Sequence, residues 1–179
     1  MAQGNGSENG RKIMHSLFEG MGTLVVALSV FALLFTFVVR VVGVDGSSMM
    51  PTFHDGDRLV LSVMDTKCSR GDIVVVDRYT DEPLIKRVIA VGGDTISIDG
   101  DGRVYINGKY IREDYIEGTT VLRDFSGEVK VPHGYLFIMG DNRTVSKDSR
   151  SAEIGLVSEK DVVGKAVFCV WPLQSFGKV

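Results

Sequence analysis

Histidine and cysteine are scarce in this chain, with three His and two Cys in 179 residues. Cys68 and Cys169 are far apart, and neither sits in a CxxC pair or beside a histidine, which speaks against a zinc or redox motif. In an oxidising compartment they can pair, or they can stand as two buried thiols; the sequence leaves both open. Excess basic charge is also missing. Lys and Arg total 20 against 23 Asp and Glu, for a net charge of −3 and a pI near 5.6. A nucleic-acid partner normally needs a basic face, so none is expected. No internal repeat is evident.

Charged residues disappear entirely between Met21 and Val39, where Val, Leu, Phe and Ala dominate. As an α-helix this run covers roughly 28 Å, close to the hydrocarbon thickness of a bilayer. A cleaved secretory signal is the alternative, with Val41-Val42-Gly43 as a poor cleavage site. Its apolar core would usually run only about 7–15 residues, so a retained anchor fits better. Arg11 and Lys12 precede the run and Arg40 follows it, which weakly favours an inside N-terminus. The expected organisation is a polar, mostly disordered cytoplasmic tail over 1–20, a transmembrane helix over 21–42, and an extracytoplasmic catalytic β domain over 43–179.

Beyond Gly43 the pattern is mainly β. Runs at 58–63, 72–76, 84–91, 135–139 and 162–170 are short, rich in β-branched or aromatic residues, and several are bounded by Gly, Asp or Pro. Asn107-Gly108, between Val104-Tyr105-Ile106 and Lys109-Tyr110-Ile111, predicts a tight hairpin, because both turn residues must tolerate positive φ. Only 158–161 hints at a helical turn. The domain is expected to be a closed or folded-over sheet that protects its edges.

Three blocks carry candidate chemistry. Ser48 lies between Gly46, which permits unusual backbone angles, and Pro51, which stiffens the following turn. Alone, it reads as a turn leading out of the membrane. Lys86 sits in Ile85-Lys86-Arg87-Val88, on the same strand face as Val88 and Ala90. A lysine there either snorkels from an edge strand or, if buried, loses basicity until it can accept a proton near neutral pH. The third block is Gly140-Asp141-Asn142-Arg143-Thr144-Val145-Ser146-Lys147-Asp148-Ser149-Arg150, straight after an apolar strand. Asp141, Asp148, Arg143 and Arg150 could form an ion-pair lattice that fixes a loop beside the site.

Together these blocks resemble the bacterial type I signal peptidases, membrane-bound serine–lysine proteases, closest to the Gram-positive type. The resemblance runs through Ser48-Met49-Met50-Pro51-Thr52, Gly56-Asp57, Arg70-Gly71-Asp72-Ile73-Val74, Lys86-Arg87-Val88, Asn107-Gly108 and Gly140-Asp141-Asn142-Arg143, with Ser146, Asp148, Ser149 and Arg150. It implies that Ser48 is the nucleophile and Lys86 the general base. It also implies that Ser146 orients the lysine amine while Asp141, Asp148 and Arg150 hold the loop. The Ser48 N–H would form part of an oxyanion hole. No cofactor or metal is implied; the partners are preproteins bearing signal peptides, and membrane lipid. Oligomeric state and substrate-binding residues stay open.

Two departures from the family pattern stand out. Gly92-Gly93-Asp94 replaces the frequent Pro-Gly-Asp turn, so a looser loop is expected there. Gly46 stands where some members place a second oxyanion-donating serine. Histidine catalysis is the competing chemistry, but His15 precedes the membrane run, and His54 and His133 sit in turn-rich contexts without partner spacing. Met49, Met50 and Phe53 read as core or membrane-contacting surface. Competing functions are a self-cleaving serine–lysine protease of the LexA type and an inactive membrane-tethered assembly factor or chaperone on the same fold.

Overall fold

A computed structural model describes residues 5–64, 67–77, 79–116 and 118–179, which divide into one unit ending at Val38 and another from Val39 to Val179. The first unit is a single helix, α1 (Asn5–Val38). Its stretch Met14–Leu33 has a mean hydropathy of 1.8 and is long and apolar enough to cross a membrane. Leu17, Phe18, Leu24 and Phe31 along it are exposed. An apolar helix surface of this kind needs lipid or protein to cover it.

Both ends of this helix differ from the sequence expectation. It starts at Asn5, not Met21, so most of the expected disordered tail is helical. Extending an existing helix by one residue is cheap compared with nucleating one, and no proline interrupts residues 5–20. At the other end, helix stops at Val38, and Val39–Gly43 forms strand β1. Valines lose rotamer freedom in helices and suit strands. Here they also gain a ladder partner, with Val39 opposite Ser62 and Gly43 opposite Arg58.

The second unit continues with β2 (Arg58–Ser62), β3 (Ile73–Val76), β4 (Leu84–Val91), β5 (Thr95–Ile98), β6 (Val104–Ile106), β7 (Lys109–Tyr110) and β8 (Glu128–Lys130). It ends with β9 (Tyr135–Met139), β10 (Val157–Ser158), β11 (Val162–Trp171) and β12 (Gly177–Lys178). A 3₁₀ turn at Glu159–Asp161 fills the expected helical spot, and a second covers Leu173–Ser175. Among the described residues the larger sheet runs β1-β2-β11-β3-β4-β9-β10, with β12 on β11, and the smaller runs β7-β6-β5-β8.

Every strand pair described in the larger sheet is antiparallel, and the sheet is curled, with core on both faces. β3 shows why, because all four of its residues are buried. Ile73 and Val75 pack with Met49, Phe53, Leu59 and Leu61, whereas Val74 and Val76 pack with Val88, Leu136, Ile138 and Val157. Alternating side chains on one strand therefore serve two cores. A register shift between Val88 and Ala90 lets β4 reach a third core, in which Ile89 and Ala90 meet Ile96, Ile106 and Phe137. Met49 and Phe53 are core residues. Cys68 and Cys169 are buried and lie in different cores, so they do not pair with each other.

The hairpin matches its sequence signal, with φ of 52° at Asn107 and 74° at Gly108 between β6 and β7. The Gly92-Gly93-Asp94 turn is tighter than expected. Asp94 accepts from the Val91 N–H, from Asn107 and from Arg70 Nε at 2.7 Å. At Gly92 a Cβ would lie 2.7 Å from the His133 backbone, so a neighbouring loop, rather than a proline, confines the turn.

Candidate active site

The turn carrying Ser48 is fixed from both flanks. Gly46 takes φ of 79°, and its N–H donates to the Asp55 carboxylate at 2.9 Å. The next residue after Ser48 is Met49, sunk in the core, and the Phe53 N–H closes the turn onto the Met49 carbonyl at 3.0 Å. The Ser48 carbonyl accepts from the Asn142 N–H at 3.0 Å, which ties the turn to the 140–150 loop. Among the described residues the Ser48 N–H donates to no acceptor.

Lys86 comes from β4, opposite Val74. Its side chain is only 3% exposed, and Nζ lies 2.8 Å from Ser48 Oγ and 2.9 Å from the Ile85 carbonyl. Burial lowers its pKa from 10.5 to about 8, against the opposing pull of Asp148 and Asp141. Neither carboxylate is within ion-pair distance; they act on Lys86 through space. The amine therefore carries a substantial neutral fraction slightly above neutral pH.

The 140–150 loop is buried along most of its length, with Asp141, Arg143, Ser146, Asp148 and Arg150 each at most 1% exposed. Asp148 and Arg150 form a bidentate pair, with Nη2 to Oδ2 at 2.7 Å and Nε to Oδ1 at 2.8 Å. Burial would raise the Asp148 carboxyl, but Arg150, helped by Ser146 and the Gly140 N–H, holds it below its ordinary value. The remaining Arg150 donors reach the carbonyls of Val121, Arg143 and Ser146. Among the described residues, every buried side-chain nitrogen and oxygen has a hydrogen-bond partner.

Three expected contacts are replaced by others. Asp141 does not join the loop arginines; it takes Arg87 through both oxygens, at 2.8 and 2.6 Å, and accepts from Thr52. Arg143 instead forks onto Glu113, at 2.8 and 2.6 Å. Ser146 Oγ accepts from the Gly140 N–H at 3.2 Å, and the lysine amine bonds Ser48 and the Ile85 carbonyl instead of Ser146. Gly140 makes the close approach possible: a Cβ there would collide with both Ser146 Oγ and the Ser48 carbonyl.

A cleft of about 520 Å³ opens over the pair, walled by Gly43–Asp45 on one side and Thr80–Ile85 on the other. A second hollow of about 550 Å³ adjoins it through Gly43, Asp45, Glu82, Pro83 and Ile85. Ser48, Lys86 and Lys147 face the first cleft, whereas Ser146, Asp141, Asp148 and Arg150 sit behind it. His54 and His133 are exposed. Arg87 and Thr52 were visible in the sequence blocks but without a partner. Glu113 and Tyr115 had no local signal, because the arginines they meet, Arg143 and Arg87, lie far along the chain.

The comparison with known proteins decides the family. Residues 17–171 match the family model described as signal peptidase, peptidase S26. The chain belongs to the signal peptidase family. This makes it a peptidase. A signal peptidase I of Bacillus licheniformis is 39% identical over 92% of this chain and 94% of its own. Signal peptidase IB of Staphylococcus aureus is 33% identical over 89% and 92%. A solved signal peptidase I structure from Enterococcus faecalis is 28% identical, covers 56% of this chain and 97% of its own, and has a TM-score of 0.45.

Proposed function

We propose that this peptidase is a membrane-bound endopeptidase that removes N-terminal signal peptides from exported preproteins, with Ser48 as nucleophile and Lys86 as general base. The observation that carries the reading is the 2.8 Å approach of a buried lysine amine to a serine hydroxyl at the floor of an open cleft. Residues 21–38 anchor it, and the unit from Val39 onward faces the extracytoplasmic side. An inactive assembly factor would need neither the contact nor the desolvated amine.

In the neutral state of Lys86 the hydrogen bond reverses, so that Ser48 Oγ–H donates to the Nζ lone pair. Oγ attacks the scissile carbonyl as Nζ takes its proton, and the resulting ammonium then protonates the departing amine. Water repeats the sequence on the acyl-enzyme, releasing the signal peptide and restoring Ser48. The free Ser48 N–H supplies one oxyanion donor. The substrate lies extended between the 43–45 and 80–85 walls, bonded as an added strand. Asp148, Arg150, Asp141 and Ser146 hold the loop whose Asn142 N–H fixes the nucleophile's carbonyl.

The test is cleavage of a preprotein with an alanine-x-alanine site in detergent or liposomes. Ser48→Ala and Lys86→Met should each lower kcat by at least about 10³-fold while the protein stays folded. Wild-type turnover in either variant would remove the pair from the mechanism.

A further inference from the structure

Among the described residues, none from Glu113 to Asp124 hydrogen-bonds Ser48 or Lys86, yet several of them fasten to the loop behind the pair. Glu113 takes the fork of Arg143, whose Nη1 also reaches Thr120. The Val121 carbonyl takes Arg150, Arg123 reaches the Thr144 carbonyl, and Asp124 accepts from the Ala152 N–H. Tyr115 is the exception, because it addresses a different element. Its ring lies under the Arg87 guanidinium, 4.1 Å from Cζ to ring centroid, while its hydroxyl donates to Glu113 at 2.7 Å.

We infer that Tyr115 is a positioning residue for peptide-bond cleavage, acting through Arg87 and Asp141 on the turn that carries Ser48. The route is continuous. The ring holds the guanidinium plane, the plane presents a fork to Asp141, and Asp141 accepts from Thr52. Thr52 belongs to the same turn as Ser48, and the residue after Asp141 donates to the Ser48 carbonyl. Arg87 Nη1 also bonds the Gly71 carbonyl, so loss of the ring leaves it attached but free to tilt. A small rotation there displaces the nucleophile relative to Lys86, and attack geometry is sensitive to displacements well under an ångström.

This inference rests on the Ser48–Lys86 reading, and the experiment separates the two. Full-length enzyme and its Tyr115→Leu and Tyr115→Phe variants are assayed on the same preprotein in detergent. Tyr115→Leu should lower kcat about tenfold with KM within about twofold of wild type. Tyr115→Phe, which keeps the π face, should recover most of the loss. Should Tyr115→Leu fail to fold, Tyr115→Met fills similar volume without a π face. In an Arg87→Gln background the same Tyr115 substitution should cost little further, since no cation remains to lie on the ring.

NMR titration of the Lys86 amine gives a readout that needs no turnover. A loosened Arg87 withdraws positive charge and leaves Asp141 less neutralised, so the titration should move to higher pH in Tyr115→Leu. Wild-type kcat and an unmoved titration in Tyr115→Leu would overturn the inference. So would a Phe variant as impaired as Leu, since the hydroxyl bond to Glu113 would then be what matters. Activity retained by Ser48→Ala strikes the dyad instead, and the Lys86 titration still judges the Tyr115 route.

Discussion

Lys86 and the two loop arginines, Arg143 and Arg150, are all buried cations, but they are accommodated in opposite ways. Each arginine has a bidentate carboxylate and further carbonyl or hydroxyl acceptors, so its charge is retained. Lys86 has a serine hydroxyl and one carbonyl, with no carboxylate in contact among the described residues. Its charge is therefore the weak point. The difference teaches that the paired region builds rigidity, and the unpaired region stores reactivity at the expense of stability.

Breaking the paired side should have the largest effect. Arg150→Met leaves Asp148 as an uncompensated buried carboxylate and strands three carbonyl contacts. A loss of about 3–5 kcal/mol in urea unfolding is expected, and with it the fixed loop behind Ser48. An unchanged unfolding midpoint would mean that water replaces the guanidinium without cost, and the comparison would lose its first term.

Removing the unpaired cation should do the reverse. The fall of the Lys86 pKa from 10.5 to about 8 corresponds to roughly 3 kcal/mol of destabilisation while the lysine is charged. Between those values the unfolded chain binds more protons than the native one, so stability rises with pH across that window. Lys86→Met should accordingly be more stable than wild type at pH 7, by an amount approaching that figure. The gain should shrink above pH 8 and vanish beyond about pH 10.5. Denaturation of both proteins at several pH values tests this, and a methionine variant less stable at pH 7 would show that the amine's two hydrogen bonds outweigh its desolvation.

The same titration should appear in the kinetics. The free-enzyme profile of kcat/KM should rise with pH through an acid limb near 8, because protonated Lys86 cannot accept the serine proton. Asp141 raises the Lys86 pKa through space. Asp141→Asn removes that carboxylate and leaves Arg87 unneutralised, and both changes push the limb to lower pH, by about one pH unit or less. A limb that stays in place would mean that the carboxylate's role is only to hold the turn.

How much of this could be read from the sequence follows from how local each feature is. Leu84–Val91 and Tyr135–Met139 were legible to the residue, because β-branched or aromatic runs end there at Pro, Gly or Asp. The Asn107-Gly108 hairpin depends on two residues and was legible for the same reason. Val39–Val42 was misjudged because valine is equally at home in a membrane helix and in a strand, and only the pairing with β2 decides. Ser48, Lys86 and the loop were visible as blocks. Their partners were not: that Asp141 takes Arg87, and Arg143 takes Glu113, depends on contacts between residues 54 and 30 positions apart.

The smallest effect should come from the turn that replaces the frequent proline. Asp94 is buried, but its partner Arg70 is 47% exposed, so solvent screens the pair and about 1 kcal/mol is the expected cost of Asp94→Asn. Burial works to raise the Asp94 carboxyl, yet Arg70, the Val91 N–H and Asn107 hold it below 3.8. The native state then binds a proton less readily than the unfolded chain. Its contribution is complete above the ordinary carboxylate value and is lost as pH falls through the lower native one. The gap between wild type and Asp94→Asn should therefore close in acid, opposite in direction to the Lys86→Met gap, which closes in base. Urea unfolding from pH 7 down to pH 3 checks it, with kcat at wild-type level throughout the neutral range. A variant as unstable as Arg150→Met would mean that this turn, and not the 140–150 loop, is the more tightly coupled part of the fold.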